Sequence, residues 1–199
     1  VRAGYRFMKL YFHFAVVGFA NTYLIGPPKG GEAILVDPGI MDKELLTLIE
    51  SNHYYIRTIL VTHHHNSHVK GIRTLRKIYD ADIYAFSPYI LDFPSIPIKD
   101  GDRFSAASNI EVEVIEVPGH SSDSLVYHIG GMIFTGDVLA AGRAGNTKNS
   151  FSRALLLRSI SEKLFTLPDT TLVLPGHGPP STLNAERMFN PDLKLLEDS

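Results

Sequence analysis

Ile59-Leu60-Val61-Thr62-His63-His64-His65-Asn66-Ser67-His68-Val69 is an apolar run that ends in four histidines within six residues. The apolar half reads as a buried strand. The residues after the histidines read as a helix, because Val69, Ile72, Leu75 and Ile78 recur on one helical face while Arg73, Arg76 and Lys77 fall mostly off it. His63 and His65 are two apart in extended chain, so both side chains leave the strand end on the same side. His68 sits where the helix begins and can turn back towards the same cavity. Several imidazoles delivered to one place suit a transition-metal ion.

Working outward, three more strand ends carry groups of the same kind. Ile110 to Val117 alternates acids with aliphatics, as a half-buried strand does, and stops at Pro118-Gly119-His120. Ser124 to Ile129 and Met132 to Thr135 are strands joined by the hairpin turn Gly130-Gly131, and Gly136-Asp137 comes next. Thr171 to Leu174 ends at Pro175-Gly176-His177. Ends of different strands converge when sheet order places the strands side by side. His63, His65, His68, His120, Asp137 and His177 are therefore the candidate metal ligands.

The remainder frames these ends. Phe7 to Phe14, Ala15 to Ile25 and Ala33 to Val36 read as an antiparallel meander. Asp42 caps a helix over 43–52, and Asp82 to Phe86 is a further strand. Phe93 to Arg103 reads as loop, as does 138–149. Arg153 to Leu164 carries a helical Leu/Ile stripe, and Leu183 to Met188 forms a short helix broken by Asn190-Pro191. Strands alternating with helices give an α/β chain of two halves, two sheets faced by helices, read as one domain over 1–199.

Composition narrows the function classes. The chain has 199 residues, is 44% hydrophobic and 20% charged, and carries a net charge of −2 with histidines neutral. That is an ordinary composition for a globular protein with a sizeable core and gives no basic footprint for nucleic acid. The absence of cysteine excludes disulfides and thiolate zinc sites. The most apolar stretch, Leu10 to Gly26, contains His13 and Asn21 and reads as strands rather than a membrane span. Without a recognisable signal peptide, the expected location is cytoplasmic and the expected partner a small-molecule substrate.

Thr62 to His68, Pro118-Gly119-His120, Phe134-Thr135-Gly136-Asp137 and Leu174-Pro175-Gly176-His177-Gly178 resemble the successive metal motifs of the metallo-β-lactamase superfamily, in its glyoxalase II-like branch. Asn21-Thr22-Tyr23-Leu24-Ile25 and Val36-Asp37-Pro38-Gly39 resemble that group's early strands. The likeness runs from about Tyr11 to Pro191. It implies an αββα sandwich with a dinuclear site at one edge. On this likeness His63, His65 and His120 hold a first metal, His68 and His177 help hold a second, and Asp137 bridges them. It also implies one or two zinc ions, with iron or manganese as alternatives. A hydroxide between the metals would attack a thioester such as an acylated glutathione, with Asp137 and His68 as catalytic residues.

Two departures from the motif stand out. The family reads Thr-His-x-His-x-Asp-His, and Ser67 stands where the Asp belongs. A weakened dinuclear site, a mononuclear site and a scaffold without activity are all compatible with that change. After Asp137, Gly142 to Lys148 replaces an acid-containing loop, and the chain ends 22 residues after His177, before any helical glutathione-gripping domain. A mononuclear-iron persulfide dioxygenase using His63, His120 and Asp137 is the alternative enzyme, and a binding module on the same fold is the non-enzymatic one. Elsewhere, His64 reads as solvent-facing or as a residue behind the ligands rather than a ligand, and His13, His53 and His128 as structural or exposed. Asp37 divides evenly between a partner for a ligand histidine and a cap for its own turn. Arg143 and Lys148 read as solvated loop charges.

Overall fold

The computed structural model describes residues 8–16 and 18–194. Two six-stranded sheets lie face to face. The first opens with the expected antiparallel meander, Lys9–Ala15, Ala20–Gly26 and Gly31–Val36. Tyr54–Leu60 then adds parallel to Gly31–Val36, followed by Asp82–Ala85 and the short Ile96–Pro97. In the second sheet Arg103–Ser105, Glu111–Glu116, Leu125–Ile129 and Met132–Gly136 are antiparallel. Leu172–Pro175 runs parallel to Met132–Gly136, and Ser181–Thr182 closes the far side.

Three apolar layers hold the sandwich. Tyr23, Ile25 and Ile34 of the first sheet meet Val112, Val114 and Phe134 of the second between the sheets. The helices Lys43–Ser51 and Ile72–Ile78 bury Leu45, Ile49, Ile72 and Leu75 on the outer face of the first sheet. The helix Ser150–Ser159 buries Leu156 and Leu157 on the second. Each fully buried side chain of this kind contributes about 1.5–3 kcal/mol. The result is the αββα sandwich that the resemblance implies.

Two of the parallel pairings matter for function. A parallel neighbour ends at the same edge as the strand it pairs with, so Val36, Leu60, Gly136 and Pro175 finish close together. Open α/β sheets bind ligands at this carboxyl edge.

Several local expectations change. The stripe Val69 to Ile78 is two helices, Asn66–Val69 and Ile72–Ile78, because Gly71 lies against the chain after the third strand and its N–H bonds Pro38 O at 2.9 Å. Ile78 falls off the buried face and is 47% exposed. Within Glu111–Glu116 the acids do not keep to one face. Val112 and Val114 enter the inter-sheet core, while Ile115 and Val117 pack under the outer helix, so this end of the strand is covered on both sides. The 93–103 segment supplies the edge strand Ile96–Pro97, and the 138–149 loop folds into a ribbon of Leu139–Ala140 against Arg143–Ala144. The helix expected from Arg153 starts at Ser150, where the Asn149 side chain accepts from Ser152 N at 2.8 Å.

Candidate metal centre

All six candidate ligands meet at the carboxyl edge. They form two sets that share one carboxylate. His63, His65, His120 and Asp137 make the first, and His68, Asp137 and His177 the second, with the donor atoms of each set within 4.8 Å of one another. In the first set His65 Nδ1 lies 2.8 Å from His63 Nε2 and 3.2 Å from His120 Nε2. Asp137 Oδ2 lies 3.7 Å from His63 Nε2 and 3.5 Å from His120 Nε2. A tetrahedral ion with bonds of about 2.1 Å needs donor separations of about 3.4 Å, so this spacing fits one. In the second set the other oxygen, Oδ1, lies 3.4 Å from His68 Nε2 and 3.7 Å from His177 Nε2.

The far ring nitrogens say which tautomer each histidine adopts. His120 Nδ1 lies 2.9 Å from Asn146 O, and His177 Nδ1 lies 2.7 Å from Phe19 O. A carbonyl only accepts, so both Nδ1 atoms donate and both Nε2 lone pairs face the centre. His68 Nδ1 is 3.0 Å from Asp37 Oδ2. The Thr62 hydroxyl donates to the same oxygen at 2.6 Å and stands 3.1 Å from His63 Nδ1, whose hydrogen it can accept. Thr62 N adds a bond to Asp37 Oδ1 at 2.8 Å. Asp37, in the left-handed region at φ +50, is therefore the brace behind two of the imidazoles. Of its two sequence readings, the side chain takes the place beside a candidate ligand histidine.

The buried atoms test the fit to a metal. His68 is wholly buried, yet its Nε2 and the Asp137 Oδ1 that faces it at 3.4 Å have no hydrogen-bond partner among the described residues. Orphaned atoms of this kind are costly unless something coordinates them, and an imidazole nitrogen opposite a carboxylate oxygen is a cation's donor set. Electrostatics agree. Burial, with His68 adding to it, pulls the His63 imidazole down to about 3, so the ring is neutral and its lone pair free. Burial also opposes charge on His68, but Asp37 and Asp137 outweigh it and hold that ring up at about 10. The Asp137 carboxyl is pushed up by burial but held below the usual carboxylate range by His68, His63 and His177. The second set thus already attracts positive charge.

Backbone packing leaves little slack. A Cβ on Gly176 would stand 2.4 Å from His68 Cε1 and 2.8 Å from Asp137 Oδ1. Gly136 has φ +49, and a Cβ there would meet Thr62 Oγ1 at 2.3 Å. Asn21 ties the His177 loop to the first sheet, donating to Pro175 O and Gly178 O at 2.8 Å each.

A cavity of about 240 Å³ opens over the centre, lined in part by His120, Asp137, Arg143, Asn146 and His177. Arg143, read as a loop charge, borders it, and Lys148 does not. The remaining polar residues of the sequence reading lie away from the donor sets. His64 is exposed and accepts from Leu91 N at 3.2 Å. His13 pairs with Asp42 at 3.0 Å, and His128 with Glu113 at 3.2 Å. Ser67 borders a different cavity, lined by none of the six candidate ligands. Sequence reasoning missed the carbonyls of Asn146 and Phe19 and the hydroxyl of Thr62. Only the last has a side chain that could have signalled its part.

Comparison with known proteins agrees. Hydroxyacylglutathione hydrolase of Methylobacillus flagellatus is 30% identical over 163 residues, a match covering 81% of this chain and 64% of that one. The chain thus spans just under two thirds of that relative's length. Among solved structures, ETHE1 from Myxococcus xanthus superposes with a TM-score of 0.83 at 26% identity, covering 96% of this chain and 90% of that one. TTHA1623 in a di-iron-bound form superposes with a TM-score of 0.78 at 26% identity, covering 91% and 98%. Residues 15–177 match the model of the Metallo-beta-lactamase superfamily, to which this chain belongs, and its hydroxyacylglutathione hydrolase relatives support the glyoxalase II-like branch.

Proposed function

We propose that the chain is a metal-dependent hydrolase of a thioester, hydroxyacylglutathione-like, or of a related ester. The observation that carries this reading is the sharing of Asp137. One of its oxygens faces three imidazoles and the other faces two, so a single carboxylate can serve two ions.

In this reading His63, His65, His120 and Asp137 hold the first ion, and His68, His177 and Asp137 the second. Zinc suits the donors, and iron or manganese are compatible. A bound ion supplies a hydroxide near neutral pH, by lowering the pKa of its water towards about 7, and polarises the carbonyl under attack. The protein's own groups do the rest. Asp37, Asn146 O and Phe19 O fix the tautomers that aim the lone pairs. Arg143 makes no ion pair among the described residues and stands at the cavity rim, suited to a carboxylate of the substrate.

Purified protein should carry zinc or iron near stoichiometry and hydrolyse S-lactoylglutathione, and a chelator should abolish turnover. Undiminished hydrolysis by metal-free protein would sink the proposal. The likeness to ETHE1 favours one second reading, a persulfide dioxygenase holding one iron with His63, His120 and Asp137. Oxygen uptake with glutathione persulfide, without thioester hydrolysis, would select it.

A further inference from the structure

The cavity that Ser67 borders encloses about 330 Å³. That is within the range of sites for small organic ligands. Its polar lining comes from Asn66, Ser67, Lys70 and Thr74, and its apolar lining from Ile40 and Met41. Gly18, Gly39 and Gly71 complete the wall, of which Gly18 is exposed and the other two are buried.

Two properties of these walls point to a ligand. First, the side chains of Asn66, Ser67, Lys70 and Thr74 make no hydrogen bond or ion pair among the described residues. Four uncommitted groups, all able to donate, border one space. Second, among the described residues the lining holds one cation and no carboxylate. Ser67 adds a neutral hydroxyl to the same wall as Lys70. Ile40 and Met41 offer contact to an apolar stem but nothing to a highly polar one.

We propose that this second cavity binds a small organic anion, a carboxylate or phosphate head on a short apolar stem, with Lys70, Ser67, Thr74 and Asn66 around the head and Ile40 and Met41 against the stem. The site is independent of the hydrolase reading: its readout is binding at residues that hold no metal, so failure here and failure of thioester turnover are separate results.

Residue-resolved amide NMR of the zinc-loaded full chain provides the test, with butyrate, butyl phosphate and butanol as probes. Butyrate or butyl phosphate should give saturable shifts at Gly39, Gly71 and Thr74, and the tighter of the two identifies the head group. Butanol, which has the stem without the charge, should bind at least tenfold more weakly. Lys70→Glu should weaken the anion response at these amides tenfold or more, while leaving any response at Gly145 and Asn146 unchanged. Lys70 is exposed, so the fold should tolerate the change. Lys70→Met, which keeps the stem of the side chain, should fall between the two. Shifts confined to Gly145 and Asn146, an undiminished response in Lys70→Glu, or butanol binding as tightly as butyrate would each overturn the proposal.

Discussion

The two donor sets around Asp137 are built from the same materials and differ in what completes them. The first has three imidazoles and a carboxylate oxygen, a full tetrahedral set from protein alone. The second has two imidazoles and the other oxygen of the same carboxylate, and Ser67 stands where the family motif supplies a further acid. The bracing differs less evenly. His68 of the second set meets the Asp37 carboxylate directly, His63 of the first reaches it only through the Thr62 hydroxyl, and His120 and His177, one from each set, lean on backbone carbonyls. A carboxylate behind an imidazole raises its basicity, and Asp37 thus returns to the second set part of the negative charge that Ser67 withholds. At this candidate centre, negative charge absent at residue 67 is held behind His68 instead, at the cost of one donor.

The largest expected effect comes from what the sets share. Asp137→Asn should lower kcat/KM on the order of 10³-fold or more and empty both sites, because each loses its anionic donor. Metal content per chain and turnover measured together check this; retention of both ions would break the idea of a shared bridge. Next, His120→Ala and His177→Ala should separate the sets. The first should remove the tightly held ion, and the second should remove one ion and leave the other in place, as elemental analysis would show. If His177→Ala strips the chain of all metal, the two sites are not separable as described.

Asp37→Asn should cost roughly 10–100-fold in affinity at the second site while sparing the first, the usual range for a partner behind a ligand histidine. Equal loss at both sites would mean that Asp37 acts through Thr62 and His63 as strongly as through His68. Ser67→Asp should restore the missing acid and raise second-site affinity roughly tenfold, about 1.4 kcal/mol. If it alters neither metal content nor activity, residue 67 does not limit the site. The smallest effect belongs to the rim. Arg143→Ala should raise KM for an anionic thioester a few-fold with kcat nearly unchanged, the sign of binding lost equally from ground and transition states. An equal rise for an uncharged thioester would show that the residue shapes the loop rather than reading charge.

Much of the fold was legible because period and punctuation agree along the chain. Asp42 before Leu45 and Ile49, and Gly130-Gly131 between two apolar runs, each carry their meaning within a few residues. Reading failed where a neighbour distant in sequence decides. Gly71 splits a helix because Pro38 lies against it, and Ile115 is half-buried because a helix much later in the chain covers it. The six candidate ligands were legible for a local reason too, since they follow the ends of four apolar runs.

By itself, then, the sequence determined the layers, the strands and the residue types delivered to one edge, because hydrophobic period and motif spacing are local properties. It also determined the absence of an acid at residue 67. Tertiary structure decided which atoms face which. The parallel pairing of Tyr54–Leu60 with Gly31–Val36, and of Leu172–Pro175 with Met132–Gly136, brings four chain segments to one point. Only there do Asn146 and Phe19 lend carbonyls, Asp37 braces His68, and Ser67 opens on a cavity of its own. Backbone carbonyls carry no side-chain signature, and the distance between two loops is fixed by packing, not by spacing along the chain.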